Sequence, residues 1–127
     1  LASSAASDVY KRQAMYDDFV EICKPVKNIN PDFPFEVKVA KPRKRPTSTG
    51  GTDASVFAVE GVPTYGFTTD DIKGYNFSYG EIWHTERDLY TKNIPEYQEH
   101  TAVVTAIVAL GVANLDKQLS REGMYKE

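Results

Sequence analysis

The strongest constraint on the fold is a long apolar stretch near the end of the chain, residues 102–113, which is interrupted only by Thr105 and Gly111. Pro95 suits the first turn of a helix, and apolar residues recur with helical spacing as far as Leu119. We therefore predict one helix from Pro95 to about Leu119. Because residues 102–113 are apolar on nearly every face, this helix should be mostly buried. The stretch is shorter than the roughly 20 residues that a membrane span needs.

Shorter patterned segments precede this helix. Residues 15–23 have the apolar spacing of a short amphipathic helix, which Pro25 should end. Residues 35–39 alternate between apolar and charged side chains, as in a half-buried strand, and residues 62–67 resemble a buried strand. The order strand, helix, strand and long helix predicts an α/β fold.

A second short helix is predicted between the two strands. Thr52 or Asp53 could cap its first turn, because either side chain can accept a hydrogen bond from an unpaired backbone N–H group. Gly61 should end it, because glycine readily adopts the left-handed conformation found at helix C-termini.

The N-terminal segment differs in character from the rest of the chain. Residues 3–13 read Ser-Ser-Ala-Ala-Ser-Asp-Val-Tyr-Lys-Arg-Gln, which is similar to an in-frame translation of a transposase-type sequencing adapter. The alternative is a natural polar N-terminus. We expect residues 1–13 to be an artefactual, unstructured tail, and residues 14–127 to belong to a single domain whose upstream half is missing.

Composition narrows the class of protein. The chain has a net charge of −3 and stays acidic without residues 1–13, which argues against a general nucleic-acid binder. The basic run at residues 41–45 is expected to be a solvated loop, with a nucleic-acid or sorting signal as the alternative. Cys23 is the single cysteine. No disulfide can therefore form within the chain, and Cys23 is expected to be a small buried residue.

Short motifs follow one another in a characteristic order in the second half of the chain. They are Gly50-Gly51-Thr52-Asp53, Phe57, Gly61-Val62-Pro63, His84-Thr85-x-x-Asp88 and Asn93-Ile94, followed by the long helix. This series, over about residues 49–115, resembles the C-terminal third of the zinc aminopeptidases of metallopeptidase family twenty-eight. Members typically carry Gly-Gly-Ser-Asp-His-x-x-Phe, a Gly-Ile-Pro-like strand start, and His-Thr-x-x-Asp-Thr before an Asn-Ile turn.

The resemblance implies both a fold and an activity. The fold would be α/β, the C-terminal portion of a three-layer, phosphorylase/hydrolase-like sandwich with a mixed sheet, ending in a long buried helix. Residues 14–127 would be the C-terminal part of that peptidase-like domain. The activity would be that of a zinc-dependent exopeptidase, an aminopeptidase that hydrolyses peptide bonds with metal-activated water. The complete protein would hold two zinc ions.

His84 is the residue that the resemblance singles out, as the last ligand of the two-zinc site. A neutral imidazole is a good zinc donor, and a loop beside a rigid helix can hold it in place. Without the resemblance, a single histidine is more often structural or exposed, because a catalytic zinc needs about three protein ligands. His100 has no counterpart in the family and is expected on the surface of the long helix.

Four other side chains are expected near His84. Asp88 either accepts a hydrogen bond from the second imidazole nitrogen or caps its own loop. By the resemblance, Asp53 lines the pocket near the metals without binding them, a role compatible with capping a helix. Tyr79 and Trp83 are expected to shape an apolar substrate pocket.

The chain departs from the family pattern at three positions. Ala54 stands where the family has the histidine after Asp53, Leu89 replaces the threonine after Asp88, and Asn93 comes one residue later than usual. The other metal ligands and the glutamate base lie upstream in the family and have no match here. We therefore expect the isolated chain to be catalytically inactive.

Two other functions stay open. Glutaminyl cyclases share this architecture with one zinc ion and also carry a tryptophan before the histidine, as Trp83 does, but they typically keep the histidine that Ala54 replaces. The other alternative is a non-catalytic binding relative, against which His84 argues.

The expected partner is a peptide substrate, with no nucleic acid and no membrane span, and the oligomeric state is left open. An extracytoplasmic location, periplasmic or secreted, rests on the resemblance alone.

Overall fold

The computed structural model describes residues 2–3, 13–39, 44–122 and 124–125. Its α-helices are α1 (Gln13–Ile22), α2 (Ala54–Val59), α3 (Tyr79–Ile82) and α4 (Pro95–Ala113), and single 3-10 turns lie at Lys24–Asn28 and Tyr90–Lys92. Its strands are β1 (Ala2–Ser3), β2 (Lys38–Val39) and β3 (Tyr65–Gly66).

The three strands form one small mixed sheet in the order β2-β1-β3. The central strand β1 is parallel to β2, with Ser3 opposite Val39, and antiparallel to β3, with Ser3 opposite Tyr65. Two residues expected in an unstructured tail thus belong to the sheet, because strand pairing uses backbone groups that every residue carries. Residues 4–12 of that segment lie outside the described residues. The three-layer sandwich stays a prediction.

The core lies where α1 packs against α4. Phe19 and Val108 are each 1% exposed, and Cys23 and Val26 are fully buried. Met15, Val37, Val104 and Met124 complete the cluster. The amphipathic helix predicted at residues 15–23 and the buried position of Cys23 are therefore confirmed. Helix α1 ends at Ile22, before Pro25 as predicted, and Pro25 itself occupies the first turn of the following 3-10 segment, where a missing N–H group is tolerated.

Helix α4 begins at Pro95 as predicted but ends at Ala113, six residues before Leu119. Asn114 forms the C-cap, and its N–H group donates to Leu110 O at 3.0 Å. The end of the helix predicted from the spacing of Leu115 and Leu119 is therefore wrong, because asparagine favours turns over helix continuation.

The prediction that the long helix is mostly buried is also wrong. The face towards α1 is buried, whereas Val103 is 37% and Leu110 64% exposed on other sides. At Gly111 the two helices come so close that an added Cβ atom would collide with the Ile22 side chain. Glycine is required there because it lets the backbone of α4 approach α1.

The strands are shorter than the sequence patterns predicted. The alternating segment at residues 35–39 forms a strand only at Lys38–Val39; Val39 is 42% exposed, and the buried Val37 lies just before the strand. The segment at residues 62–67 forms a strand only at Tyr65–Gly66, and Tyr65 is half-buried. Tyr65 nevertheless reaches the core, with its ring centroid 4.8 Å from that of Phe19 in an edge-to-face contact.

Candidate functional site

His84 lies in the turn that follows α3. Helix α3 begins after the extended residue Ser78 and ends at Ile82, and the N–H group of the C-cap residue Trp83 donates to Tyr79 O at 2.9 Å. Thr85 secures the turn, because its hydroxyl lies 2.9 Å from both Glu81 O and Ile82 O. His84 itself has a φ of +56°, in the left-handed region that a non-glycine residue adopts only at an energetic cost.

The side chains of Tyr79, Trp83 and His84 form a continuous aromatic stack. The Tyr79 and Trp83 rings are nearly parallel, with centroids 5.6 Å apart and an angle of 18° between them. The Trp83 and His84 rings follow at 4.2 Å and 35°. This geometry arises because residues four apart on a helix lie on the same face. Three of the five residues expected at the site are thus brought together.

This aromatic stack is open to solvent. Tyr79 is 67% and Trp83 55% exposed, and His84 is exposed as well. The two residues are therefore an open wall beside His84 within the described structure and not the lining of an enclosed pocket. Among the described residues, the imidazole of His84 makes its ring contact with Trp83 and no hydrogen bond or ion pair. No described residue therefore occupies either of its nitrogens.

Asp88 and Asp53 lie apart from the His84 imidazole. The Asp88 N–H group donates to Thr85 O at 3.2 Å, so its backbone continues the turn after His84. Within the described chain, its carboxylate forms no hydrogen bond or ion pair with His84 or with its own loop. Neither role expected for Asp88 is therefore seen.

The expected capping role of Asp53 is wrong. Asp53 is the N-cap residue of α2 and is exposed, but its side chain makes no capping hydrogen bond. Its φ and ψ of −59° and −32° are already helical, whereas a capping side chain normally belongs to an extended residue. Ser55 organises this end of the helix: its hydroxyl donates to Thr52 O at 2.6 Å and accepts from Gly50 N–H at 3.0 Å.

The predicted end of α2 at Gly61 is confirmed. Gly61 has a φ of +71°, its N–H group donates to Ala58 O at 3.0 Å, and Val62 N–H donates to Phe57 O at 3.0 Å. This pair of bonds is a Schellman motif, which satisfies carbonyls left unpaired at the end of a helix. The motif fixes the direction in which the chain leaves α2 towards β3.

The described residues contain no complete zinc site. Nowhere in ranges 13–39, 44–122 and 124–125 do three or more His, Cys, Asp or Glu side chains form a group that could hold a metal ion. A catalytic zinc takes about three protein ligands. His84 alone therefore does not fit as a binding site for one or two zinc ions.

The second histidine is not a simple surface residue. His100 is half-buried in α4, and its ring stacks on Phe33 with centroids 5.0 Å apart and an angle of 23°. The expectation that His100 lies on the helix surface is wrong because the 31–34 segment folds back over this part of α4. Among the described residues, His100 belongs to no group of three or more His, Cys, Asp or Glu side chains that could hold a metal ion.

A polar cluster that the sequence did not indicate ties the loop before α3 to the first turns of α4. Asp71 is its centre: Oδ1 accepts from Tyr97 Oη–H at 2.8 Å and from Tyr75 N–H at 2.9 Å, and Oδ2 accepts from Phe77 N–H at 3.1 Å. Tyr97 Oη in turn accepts from Lys73 N–H at 3.0 Å. We call the set Asp71, Lys73, Tyr75, Glu96 and Tyr97 the loop clamp.

Glu96 completes the loop clamp from the first turn of α4. Its two carboxylate oxygens accept from Lys73 Nζ at 2.7 Å and from Tyr75 Oη–H at 2.5 Å. Lys92 adds a further tie, with Nζ 2.9 Å from Asn76 O. The 78–91 segment carries the aromatic stack. These hydrogen bonds anchor it to the rest of the protein at both ends, and we call the two anchored ends its base.

Hydrogen bonding shifts the pKa values of the charged groups in the loop clamp. Partial burial raises the pKa of the Asp71 carboxyl, but bonds from Tyr75 N–H, Tyr97 Oη–H and Phe77 N–H outweigh this, so the pKa is lowered overall. Hydrogen bonds from Lys73 and Tyr75 lower the pKa of Glu96, and the bond to Glu96 raises that of Lys73. Sequence reasoning missed the cluster because it joins residues 26 positions apart.

Two general findings bear on the class of protein. None of the helices in the described part of the chain is both long and apolar enough to pass through a membrane. Comparison with protein-family models, with curated proteins and with solved structures finds no match for this chain.

Proposed function

We propose that this chain is the C-terminal part of a zinc-dependent exopeptidase, an aminopeptidase, and that His84 is one of its zinc ligands. The observation that carries the proposal is the state of His84. Its imidazole is exposed and makes no hydrogen bond or ion pair within the described residues, while its backbone is held at a φ of +56° by a secured turn. A non-glycine residue in this conformation carries strain of about 1–3 kcal/mol, and such strain concentrates at functional sites.

The surroundings of His84 support a role as a held ligand. Trp83 packs against the ring at 4.2 Å, and the rigid base of the 78–91 segment limits where the ring can go. Both restrict the imidazole before any metal binds, which reduces the conformational entropy lost on binding. Because no carboxylate bonds to the second nitrogen of the imidazole, packing has to orient the ring.

The proposal places the remaining zinc ligands and the general base in sequence that this chain lacks. The chain alone is then inactive, because one imidazole cannot hold a catalytic zinc. We place the complete protein outside the cytoplasm and its substrate among peptides with a free amino terminus. The exposed stack of Tyr79 and Trp83 would form one wall of the substrate site.

The test needs the coding sequence on both sides of this chain and the complete protein expressed from it. Zinc content and hydrolysis of aminoacyl-anilides are measured for the wild type, His84→Asn and His100→Gln. Asparagine tolerates the left-handed backbone, so His84→Asn removes the imidazole and keeps the turn. We expect about two zinc ions per wild-type chain, loss of zinc and activity together in His84→Asn, and no loss of zinc in His100→Gln. Full zinc content and activity in His84→Asn would refute the proposal.

A glutaminyl cyclase is the second candidate, favoured by the direct contact of Trp83 with His84. The same protein separates the two, because a cyclase would hold about one zinc ion and release ammonia from peptides with an N-terminal glutamine. A complete protein that binds no zinc and acts on neither substrate would instead be a binding relative of the same fold.

A further inference from the structure

A cavity of about 120 Å³ lies between α4 and two loop segments, on the side of the protein that carries His100. Its apolar walls are the side chains of Phe33, Phe35, Phe67, Ile72 and Val104. Its polar residues are Asp70, His100 and the three threonines Thr68, Thr69 and Thr101. A concave site that combines apolar walls with polar residues can bind a small molecule and fix its orientation.

Asp70 is the one acid among the described residues that line the cavity, and none of them pairs with its carboxylate. Its backbone oxygen accepts from Ile72 N–H at 2.9 Å, whereas its carboxylate makes no hydrogen bond or ion pair within the described residues. The neighbouring Asp71 differs, because three donors satisfy its carboxylate. Asp70 is both exposed and part of the cavity lining, so it lies where the cavity meets solvent.

The nearby cation does not cancel this charge. Lys73 Nζ lies 5.1 Å from the centroid of the Phe33 ring, but it is paired with Glu96 at 2.7 Å. His100 stacks on Phe33 and forms no ion pair in the part of the chain that is described. The surroundings of the cavity are therefore negative overall, and they favour a cationic group over a carboxylate.

The volume sets the size of the apolar part of a ligand. An apolar cavity of about 150 Å³ accepts a benzene molecule, so a cavity of about 120 Å³ suits a branched chain of four or five carbon atoms. The Phe33 and Phe67 rings would bury such a group, while a polar head at the open end would remain beside Asp70.

We propose that this cavity binds a small primary amine with a branched apolar group, whose ammonium ion pairs with Asp70. The ammonium group forms charge-assisted hydrogen bonds with the carboxylate, which are stronger than those of a neutral hydroxyl. The proposal is independent of the proposed function, since neither His84 nor any other residue of the aromatic stack lines the cavity.

Three ligands of one shape test the proposal on the 127-residue chain: 3-methylbutylamine, 3-methylbutanol and 3-methylbutanoate. Binding is followed by NMR through the backbone amide shifts of Thr69, Ile72 and His100. We expect the amine to bind about fivefold more tightly than the alcohol, as for a partly solvated ion pair, and the carboxylate to bind least. Leucine amide distinguishes a free amine from the amino terminus of a peptide, and either result keeps the assignment of an ammonium site.

Variants locate the site. Asp70→Asn should remove the preference for the amine over the alcohol and leave binding of the alcohol unchanged, whereas Asp116→Asn, in the exposed turn after α4, should change neither. Thr101→Leu should fill the cavity and weaken all ligands. Equal binding of amine and alcohol by the wild type, tighter binding of the carboxylate, an amine preference that survives Asp70→Asn, or no binding by any of the ligands would each overturn the proposal.

Discussion

Tyr97 donates its phenolic hydroxyl to Asp71 Oδ1 at 2.8 Å, across 26 positions of sequence. Tyr97 is 3% exposed and its ring contacts those of Phe33, Tyr75 and Phe77. The bond therefore connects a loop carboxylate to a side chain that the core already holds in place. Because the loop clamp lies at the base of the 78–91 segment, it determines where the aromatic stack and His84 stand relative to α4.

Replacing Asp71 by asparagine should loosen this loop. An asparagine side chain offers one acceptor oxygen, so it cannot accept from Tyr97 and Tyr75 on one atom and from Phe77 on the other. We expect faster amide hydrogen exchange at Tyr75 and Phe77 and faster proteolytic cleavage in residues 70–78. Asp70→Asn, one residue earlier, is the matched control and should change neither rate. Unchanged protection in Asp71→Asn would contradict the role of the clamp.

The clamp should make stability depend on pH in the acid range. The pKa values of Asp71 and Glu96 are lower in the folded protein than their ordinary values, which are about 3.9 and 4.3. Their contribution is therefore fully present above the unfolded-state pKa values and is lost as the pH falls through the folded-state values. We expect the urea midpoint to drop below about pH 4. The drop should be smaller in Asp71→Asn and in Glu96→Gln, and an equal drop in all three proteins would exclude these groups as its cause.

The sequence predicted helices better than it predicted strands, for a physical reason. Helix α1 and the start of α4 at Pro95 follow from local spacing and from proline chemistry, which depend on a few adjacent residues. Strands need a partner elsewhere in the chain, and here the partner of both β2 and β3 is β1. The alternation at residues 35–39 could not indicate how many of its residues would be paired.

The two faces of α4 should respond differently to truncation. Val108 is 1% exposed in the core, whereas Leu110 is 64% exposed on the same helix. We expect Val108→Ala to lower the free energy of unfolding by about 1–3 kcal/mol, since it removes buried methyl groups and leaves a cavity. Leu110→Ala should change it by less than about 0.5 kcal/mol. Urea unfolding of both variants measures this, and equal losses would mean that Leu110 is covered in solution.

The candidate site was predictable only where its residues are close in sequence. Tyr79 begins α3, Trp83 is its C-cap residue four positions later and His84 is adjacent, so the three rings come together through contacts that are local in sequence. Asp53 was a reasonable capping residue by type, but Ser55 takes over the hydrogen bonding at that end of α2. Whether a polar side chain bonds to nearby backbone groups depends on the conformation of its residue, and the helical conformation of Asp53 could not be predicted from its residue type.

Gly61 should be intolerant of a side chain. Its φ of +71° is in the left-handed region, and an added Cβ atom would lie 3.3 Å from the guanidinium carbon of Arg45. We expect Gly61→Ala to lower the free energy of unfolding by about 1 kcal/mol, through backbone strain at the end of α2. Gly50→Ala is the control, because nothing lies within 4 Å of the added atom there. A loss in Gly50→Ala as large as in Gly61→Ala would show that the left-handed position is not the cause.

Substitutions at His84 can distinguish the role of its backbone conformation from the role of its imidazole as a ligand. With a φ of +56°, this position should accept asparagine with a change of less than about 0.5 kcal/mol in the free energy of unfolding. Valine should lower that free energy by about 1–2 kcal/mol, because a β-branched side chain is strained in the left-handed region. Glu86→Val, two residues later in the same exposed loop, controls for the added apolar side chain and should have little effect. If His84→Val is as stable as His84→Asn, the left-handed turn is not maintained in solution. The imidazole would then lack the fixed backbone on which its proposed role as a zinc ligand depends.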